Sequence, residues 1–128
     1  MAFTMQIGEK APNFRLKGTD GKVHELKDYD DAKILVVFFT CNHCPFVINS
    51  NELTRQTVEK FSKEGVAFVG INSNSAKTKP EDSYENMVKL MEEEKFPWDY
   101  LHDETQEVAK AYGALRTPHF YVFDEERK

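Results

Sequence analysis

The feature that most constrains this sequence is a pair of cysteines directly after an apolar run. Residues 33–40 are mostly β-branched and aromatic, a composition typical of a central strand that is buried on both faces. After Pro45 the apolar residues recur at helical spacing, and Gly65 provides a stop signal. Cys41 and Cys44 are therefore predicted to lie where a buried strand passes into a helix.

The position of the two cysteines indicates redox chemistry. Two intervening residues place them on one helical turn, where they can close a small disulfide ring. The first cysteine comes at the helix N-terminus, where free N–H groups and the macrodipole lower a thiol pKa from about 8.5 to roughly 3.5–7.5. We therefore expect Cys41 to be the attacking nucleophile and Cys44 to resolve the mixed disulfide.

His43 stands between the cysteines. An imidazole beside the thiolate would stabilise the reduced form and make the disulfide a stronger oxidant, while a solvated loop histidine is the simpler alternative. A zinc site is the rival interpretation of the cysteine pair, but structural zinc needs four closely spaced ligands. The sequence has no second cysteine pair, and His24, His102 and His119 are isolated, so we expect neither a metal nor a cofactor.

The dipeptide Thr117-Pro118 precedes the last predicted strand, at 120–123. A proline there cannot join the middle of a ladder, and a cis bond would expose the Thr117 backbone to an extended substrate segment. We therefore consider Thr117 and Pro118 as candidate substrate-binding residues. A trans proline that begins an edge strand is the alternative.

The remaining pattern alternates strands with helices and predicts one domain over residues 1–128. An Asp-Gly turn favours an N-terminal hairpin at the edge of the sheet. The predicted elements are hairpin strands at 13–16 and 22–26, a second buried strand at 66–71, helices at about 80–95 and 104–112, and a short extended piece at 96–101.

Composition and charge exclude several classes of protein. The longest apolar run, residues 34–39, is far short of the roughly 20 residues that cross a bilayer, so we expect no membrane span. A net charge of −5 leaves no positive field for nucleic acid. The N-terminus has neither a basic segment nor an apolar segment typical of export signals, so we expect a cytoplasmic location.

Several motifs resemble those of the thioredoxin-like superfamily. Within it, they are most similar to the AhpC/TSA branch, to which peroxiredoxins also belong. Residues 7–14 resemble the opening G-x-x-A-P-x-F stretch of that branch, and the cysteine pair, Tyr112-Gly113 and Thr117-Pro118 follow in the same order. The resemblance implies a thioredoxin-like α/β fold, in which a central mixed sheet is flanked by helices and preceded by an N-terminal hairpin. By similarity, Cys41 is the nucleophile, Cys44 the resolving cysteine and Pro118 a cis-proline that faces them.

The resemblance also implies a function. A chain of this kind is expected to be a thiol-disulfide oxidoreductase that exchanges disulfides with protein or small-molecule thiols. Peroxiredoxins have a threonine where Cys41 stands and an arginine near the position of Pro118, although Arg116 lies close by. Both of these family residues are absent at the corresponding positions, but the nearby Arg116 keeps a thiol-dependent peroxidase as an alternative. A second alternative is a non-catalytic module that binds metal or delivers copper through the cysteines and a histidine.

The family fold continues with one more strand and helix after the strand that corresponds to residues 120–123. Neither is present in this sequence. We therefore expect an exposed strand edge and uncovered apolar residues, both of which favour association. The expected result is a homodimer formed by edge pairing or by exchange of elements, or else a chain markedly less stable than a full-length form.

Overall fold

A computed structural model describes residues 10–40, 45–73, 83–113 and 119–127. The strands are β1 (Arg15–Gly18), β2 (Val23–Glu25), β3 (Ile34–Thr40), β4 (Val66–Asn72), β5 (Asp99–His102) and β6 (His119–Phe123), and the helices are α1 (Pro45–Phe61), α2 (Tyr84–Glu94) and α3 (Glu107–Tyr112). In this part of the chain, the strands form one mixed sheet in the order β2-β1-β5-β4-β3-β6. None of the described helices is long and apolar enough to cross a membrane.

The centre of the sheet is parallel. β4 pairs in parallel with β3 on one side and with β5 on the other, whereas β6 runs antiparallel to β3. In β3 every residue from Leu35 to Thr40 is buried, as expected for a continuous apolar run that receives helices on both faces. The predictions of two strands and of a helix between them are confirmed, although β4 is fully buried only from Val69 onward.

Helices cover both faces of the sheet. On one face α3 contributes Tyr112 to a core cluster that also contains Phe39. On the other face α1 and α2 pack over a cluster that contains Phe38, Met87 and Trp98. A Cβ at Gly70 would lie only 3.1 Å from atoms of both Phe38 and Trp98, so the absence of a side chain there lets the two rings meet edge to face.

The predicted N-terminal hairpin is confirmed, with different strand bounds. β1 begins at Arg15 rather than residue 13 and continues through Gly18, while β2 ends at Glu25. The second strand stops there because Glu25 and Asp28 form a reciprocal capping box that starts a 3-10 turn. Gly21 supplies the positive φ of 82° in the connecting turn. Among the described strands β2 lies at the sheet edge, as predicted.

Two helices begin later than predicted, and one strand is shifted. Ser83 caps α2 by accepting a hydrogen bond from the backbone N–H of Asn86, so the helix begins after residue 83; residues 80–82 lie outside the described ranges. Helix α3 begins at Glu107 rather than residue 104, because Gln106 adopts a left-handed φ of 66°. The extended piece predicted at 96–101 is β5, at Asp99–His102.

The other edge of the described sheet is β6, and it carries an exposed apolar patch. Phe120 is 44% exposed and Val122 is 65% exposed, while the alternate residues Tyr121 and Phe123 are buried. Ile34, Leu53 and Phe61, from β3 and α1, line the same groove as the two β6 residues. The expected exposed edge is therefore present in the described chain, and the homodimer stays a prediction.

Light scattering tests that prediction. We expect a dimer at tens of micromolar, and we expect Val122→Lys to give a monomer because a lysine ammonium resists burial in an apolar interface. Val23→Lys is the matched control, because Val23 is also half exposed but lies on the opposite edge strand. A wild-type monomer at every concentration, or a dimer that Val122→Lys leaves intact, would contradict the prediction.

Candidate active site

The predicted strand-to-helix junction is confirmed at its two ends. Thr40 is the last residue of β3 and is buried, and Pro45 is the first residue of α1. Proline suits a first helical position because its missing N–H would have no helical partner there. Cys41, His43 and Cys44 lie between these two ends, outside the described residues, and their predicted roles stay predictions.

The sheet brings the second candidate segment to the same end of the molecule. Phe39 is the register partner of His119, the first residue of β6. Thr117 and Pro118 lie just before His119, outside the described residues. The strand that leads into Cys41 and the strand that follows Pro118 are therefore neighbours, about 5 Å apart.

Two polar side chains are buried at this end of the sheet. Thr40 and Asn72 are register partners at the carboxyl ends of β3 and β4, and both are buried. The Asn72 side-chain amide donates a hydrogen bond to the Tyr100 hydroxyl over 3.1 Å. This hydrogen bond joins β4 to β5, beside the end of β3 that leads into the cysteine segment.

Asp103 is a buried polar residue that the sequence pattern did not predict. It directly follows β5 and is only 1% exposed. Its Oδ2 accepts hydrogen bonds from the Ser73 hydroxyl at 2.7 Å and from the Ala109 backbone N–H at 3.0 Å. Its Oδ1 has no hydrogen-bond partner in the described chain. No signal within its own segment separates Asp103 from the exposed acids of the sequence.

The histidines in the described ranges are engaged separately. His119 stacks on Tyr121 with ring centroids 4.6 Å apart, and the His102 ring lies 5.9 Å from the ring of Tyr84. His24 Nε2 lies 2.9 Å from a carboxylate oxygen of Asp20. Within those ranges no group of three His, Cys, Asp or Glu side chains is placed to hold a metal ion.

A polar network joins the hairpin to the amino end of β5. The Tyr29 hydroxyl donates to Asp99 over 2.7 Å and lies 3.4 Å from Nδ1 of His24. Burial, followed by the hydrogen bond to Asp99, raises the pKa of Tyr29 above its ordinary value. For Asp20, burial acts to raise the pKa, but hydrogen bonds from the Lys22 backbone N–H and from His24 outweigh it, so the pKa is lowered. The network lies at the hairpin side of the sheet and serves to fasten the hairpin.

Two buried tyrosines predict loss of stability at alkaline pH. Burial also raises the pKa of Tyr112, whose hydroxyl donates to the Pro12 carbonyl over 2.7 Å. In the unfolded chain tyrosines ionise at about pH 10. The folded chain holds the two hydroxyl protons more tightly than the unfolded chain does. The stability that the two neutral tyrosines contribute to the fold is therefore complete below pH 10 and decreases as the pH rises above it.

Urea unfolding at several pH values between 9 and 12 measures this effect. We expect the free energy of unfolding to fall with pH in the wild type and to fall less steeply in Tyr29→Phe/Tyr112→Phe, which has lost both hydroxyls. Equal slopes for the two proteins would show that neither tyrosine is responsible.

Comparison with solved structures identifies the fold. The chain superimposes with a TM-score of 0.93 on an uncharacterized conserved protein from Geobacillus kaustophilus that is 48% identical, over 96% of this chain and 66% of the other. It also matches the thioredoxin domain of a thiol-disulfide oxidoreductase from Bacteroides vulgatus, with a TM-score of 0.81 and 21% identity over 98% of this chain and 86% of that one. The predicted thioredoxin-like α/β fold is therefore confirmed.

Curated relatives fall into two groups. The chain is 28% identical over 106 residues to peroxiredoxin Q, chloroplastic, of Oryza sativa subsp. japonica, which covers 83% of this chain and 45% of that protein. It is also 28% identical over 130 residues to the thiol-disulfide oxidoreductase ResA of Bacillus thuringiensis, which covers 97% of this chain and 67% of the relative. The chain thus spans about half the length of the first relative and two thirds of the second.

Both groups of relatives are thiol redox enzymes, which is consistent with an oxidoreductase. The profile of the AhpC/TSA family matches residues 7–128, nearly the whole sequence. The family predicted from the opening motif and the cysteine pair is thereby confirmed, and the chain belongs to the AhpC/TSA family.

Proposed function

We propose that this chain is a thiol-disulfide oxidoreductase whose redox centre is Cys41 and Cys44. The single observation that carries the proposal is the position of the cysteine segment: Thr40 ends β3, a buried interior strand of a thioredoxin-like sheet, and Pro45 opens the helix that follows. A thiolate close to a helix N-terminus is stabilised, and this is the basis for assigning the first attack to Cys41. The partners in this proposal are disulfides and thiols of proteins or small molecules.

The reaction consists of two exchanges. The Cys41 thiolate attacks one sulfur of the partner disulfide, so that a mixed disulfide forms and the other partner sulfur leaves as a thiolate. The Cys44 thiolate then attacks the Cys41 sulfur and releases the second partner thiolate. The partner has gained two electrons, and the chain holds a Cys41–Cys44 disulfide. A dithiol that attacks this disulfide returns the chain to its reduced form.

The neighbouring segment supplies a place for the substrate backbone. Residues 117–118 lead into β6, whose first residue is the register partner of Phe39, two residues before Cys41. An extended segment of the partner that pairs with the Thr117 backbone would therefore lie alongside the attacking sulfur. This supports Thr117 and Pro118 as substrate-binding residues.

The proposal is tested by following reduction of a disulfide-bonded protein, such as insulin, with a small dithiol as the electron donor. We expect turnover with insulin, and a rate of hydrogen peroxide consumption with the same donor that is far lower. Rapid peroxide consumption without disulfide turnover would instead support the thiol-dependent peroxidase, which the similarity to peroxiredoxin Q favours as the second candidate.

His43 is expected to set the redox potential of the cysteine couple. An imidazole beside the Cys41 thiolate would stabilise the reduced form, so His43→Pro should make the couple more reducing by some tens of millivolts, where about 30 mV corresponds to a factor of ten in the equilibrium constant. Titration against glutathione buffers measures the shift. Asn42→Ala is the control, since it changes a neighbouring side chain and keeps the imidazole. An unchanged potential in His43→Pro would make His43 a solvated loop residue.

A further inference from the structure

A groove opens at the carboxyl end of β5, on the same end of the sheet as the cysteine segment. It has a volume of about 870 Å³ and lies between β1, the first turn of α2 and the connection from β5 to α3. Because β1 runs antiparallel to β5 with Lys17 opposite His102, Arg15 and Leu16 extend past the end of β5 and form one wall. We call this the β1–α3 groove. The redox proposal assigns it no role.

The wall of the groove includes a buried acceptor without a hydrogen-bond partner in the described chain. Asp103 lines the groove and is 99% buried, and its Oδ2 already receives two hydrogen bonds, from Ser73 and Ala109. Its Oδ1 has no partner in the described chain. A buried acceptor without a donor costs free energy that a donor from a ligand would recover. The chemistry of the carboxylate favours an N–H donor that carries positive charge.

The charges at the rim of the groove also favour a positively charged ligand. Glu85, Glu104 and Glu107 line it, and within the described ranges none of these three carboxylates forms an ion pair. The two cations of the opposite wall are already engaged, since Arg15 lies 3.9 Å from Glu25 and the Lys17 ammonium lies 4.7 Å from the centre of the Tyr84 ring. Among the described residues, the carboxylates that line the groove outnumber its cations, which favours a cationic ligand.

The groove is within reach of a substrate bound at the cysteine segment. Thr40, Asn72 and His102 form one row across the carboxyl ends of three adjacent strands, and His102 lines the groove. Strands are about 4.8 Å apart, so the row from Thr40 to His102 spans about 10 Å. An extended polypeptide covers that distance in about three residues.

From these observations we propose that the β1–α3 groove binds a lysine or arginine side chain of the polypeptide whose disulfide is exchanged, with Asp103 as the acceptor at the wall of the groove. The inference rests on the proposed redox function and adds a substrate preference to it. The favoured substrate has a basic residue about three positions from the reacting cysteine.

Three synthetic peptides test the preference. Each has one cysteine in a disulfide with 5-thio-2-nitrobenzoate, and each has Lys, Gln or Glu three residues from that cysteine. The reduced protein releases the coloured thiolate, and the measurement is the second-order rate constant at low salt. We expect the Lys peptide to react about five-fold faster than the Gln peptide and the Glu peptide to react slowest, with the differences shrinking at high salt.

Variants locate the preference in the groove. Asp103→Asn should remove most of the difference between the Lys and Gln peptides, and Glu104→Gln/Glu107→Gln should reduce it without touching the buried contacts. Glu93→Gln is the matched control, because Glu93 is an exposed carboxylate on α2 that does not line the groove. If Asp103→Asn does not fold, the surface double variant decides the question.

The outcomes separate the two proposals. If the protein exchanges with all three peptides at the same rate, or if the double variant keeps the full preference, the groove proposal is overturned and the redox function stands. If the protein releases thiolate from none of the peptides, the redox function fails, and the groove proposal fails with it.

Discussion

Replacing Cys44 by serine is expected to turn the chain into a trap for its partners. Without a resolving thiol, the mixed disulfide between Cys41 and the partner persists, because no internal thiolate can attack the Cys41 sulfur. Replacing Cys41 by serine should instead abolish the first step and lower the rate of disulfide turnover by more than about 1,000-fold, since a hydroxyl does not replace a thiolate nucleophile at neutral pH.

Non-reducing electrophoresis and mass spectrometry of the protein recovered after incubation with a disulfide-bonded substrate measure both effects. The double variant Cys41→Ser/Cys44→Ser is the control for adventitious adducts. Alkylation kinetics give an independent measurement, since a stabilised thiolate at Cys41 should react before Cys44. If Cys41→Ser accumulates mixed disulfides as well as Cys44→Ser does, the two cysteines have the opposite roles.

Replacing Phe38 by alanine is expected to cause the largest loss of stability, about 3–5 kcal/mol, the cost typical of deleting a buried phenylalanine side chain. Phe38 is 2% exposed in β3, a buried interior strand. Its ring meets Trp98 edge to face at 5.2 Å and stacks on Phe120 at the same distance. Removing the ring leaves a cavity beside Gly70, which has no side chain to fill it.

Urea unfolding monitored by fluorescence of Trp98, the one tryptophan in the sequence, reports directly on this cluster. Phe61→Ala is the matched control, because Phe61 ends α1 and is 37% exposed, so its loss should cost clearly less. Equal destabilisation by the two substitutions would contradict the assignment of Phe38 to the core. The unfolding free energy should depend on urea concentration with the same slope in Phe38→Ala and in the wild type. A changed slope would indicate a change in the unfolded state.

Local sequence patterns predicted much of the fold, because the signals for strands, helices and turns lie within short segments. The apolar run at residues 33–40 is buried throughout β3 except at its start, and the Asp-Gly pair does form the hairpin turn. The predicted boundaries of the strands and helices were less accurate. The hairpin bounds moved because a capping box formed by Glu25 and Asp28 ended β2, and α3 began three residues late because Gln106 adopts a left-handed conformation.

The candidate site was predicted in part for the same reason. A strand that ends at Thr40 and a helix that begins at Pro45 follow from hydrophobic periodicity, and they bracket Cys41 and Cys44. Asp103 was missed because nothing within its own segment distinguishes a buried acid from an exposed one. Its burial results from contacts with Ser73, 30 positions earlier in the chain, and with Ala109 in the next helix.

The sequence by itself determined the elements, the strand-to-helix position of the cysteines and the AhpC/TSA family, because periodicity, turn residues and motif order are local properties. Only the tertiary structure decided the order of the strands. In the folded sheet β5 lies between β1 and β4, and His119 lies opposite Phe39. These pairings depend on contacts between segments far apart in the chain. The β1–α3 groove exists for the same reason, since its walls come from three separate segments that meet only when the sheet has assembled.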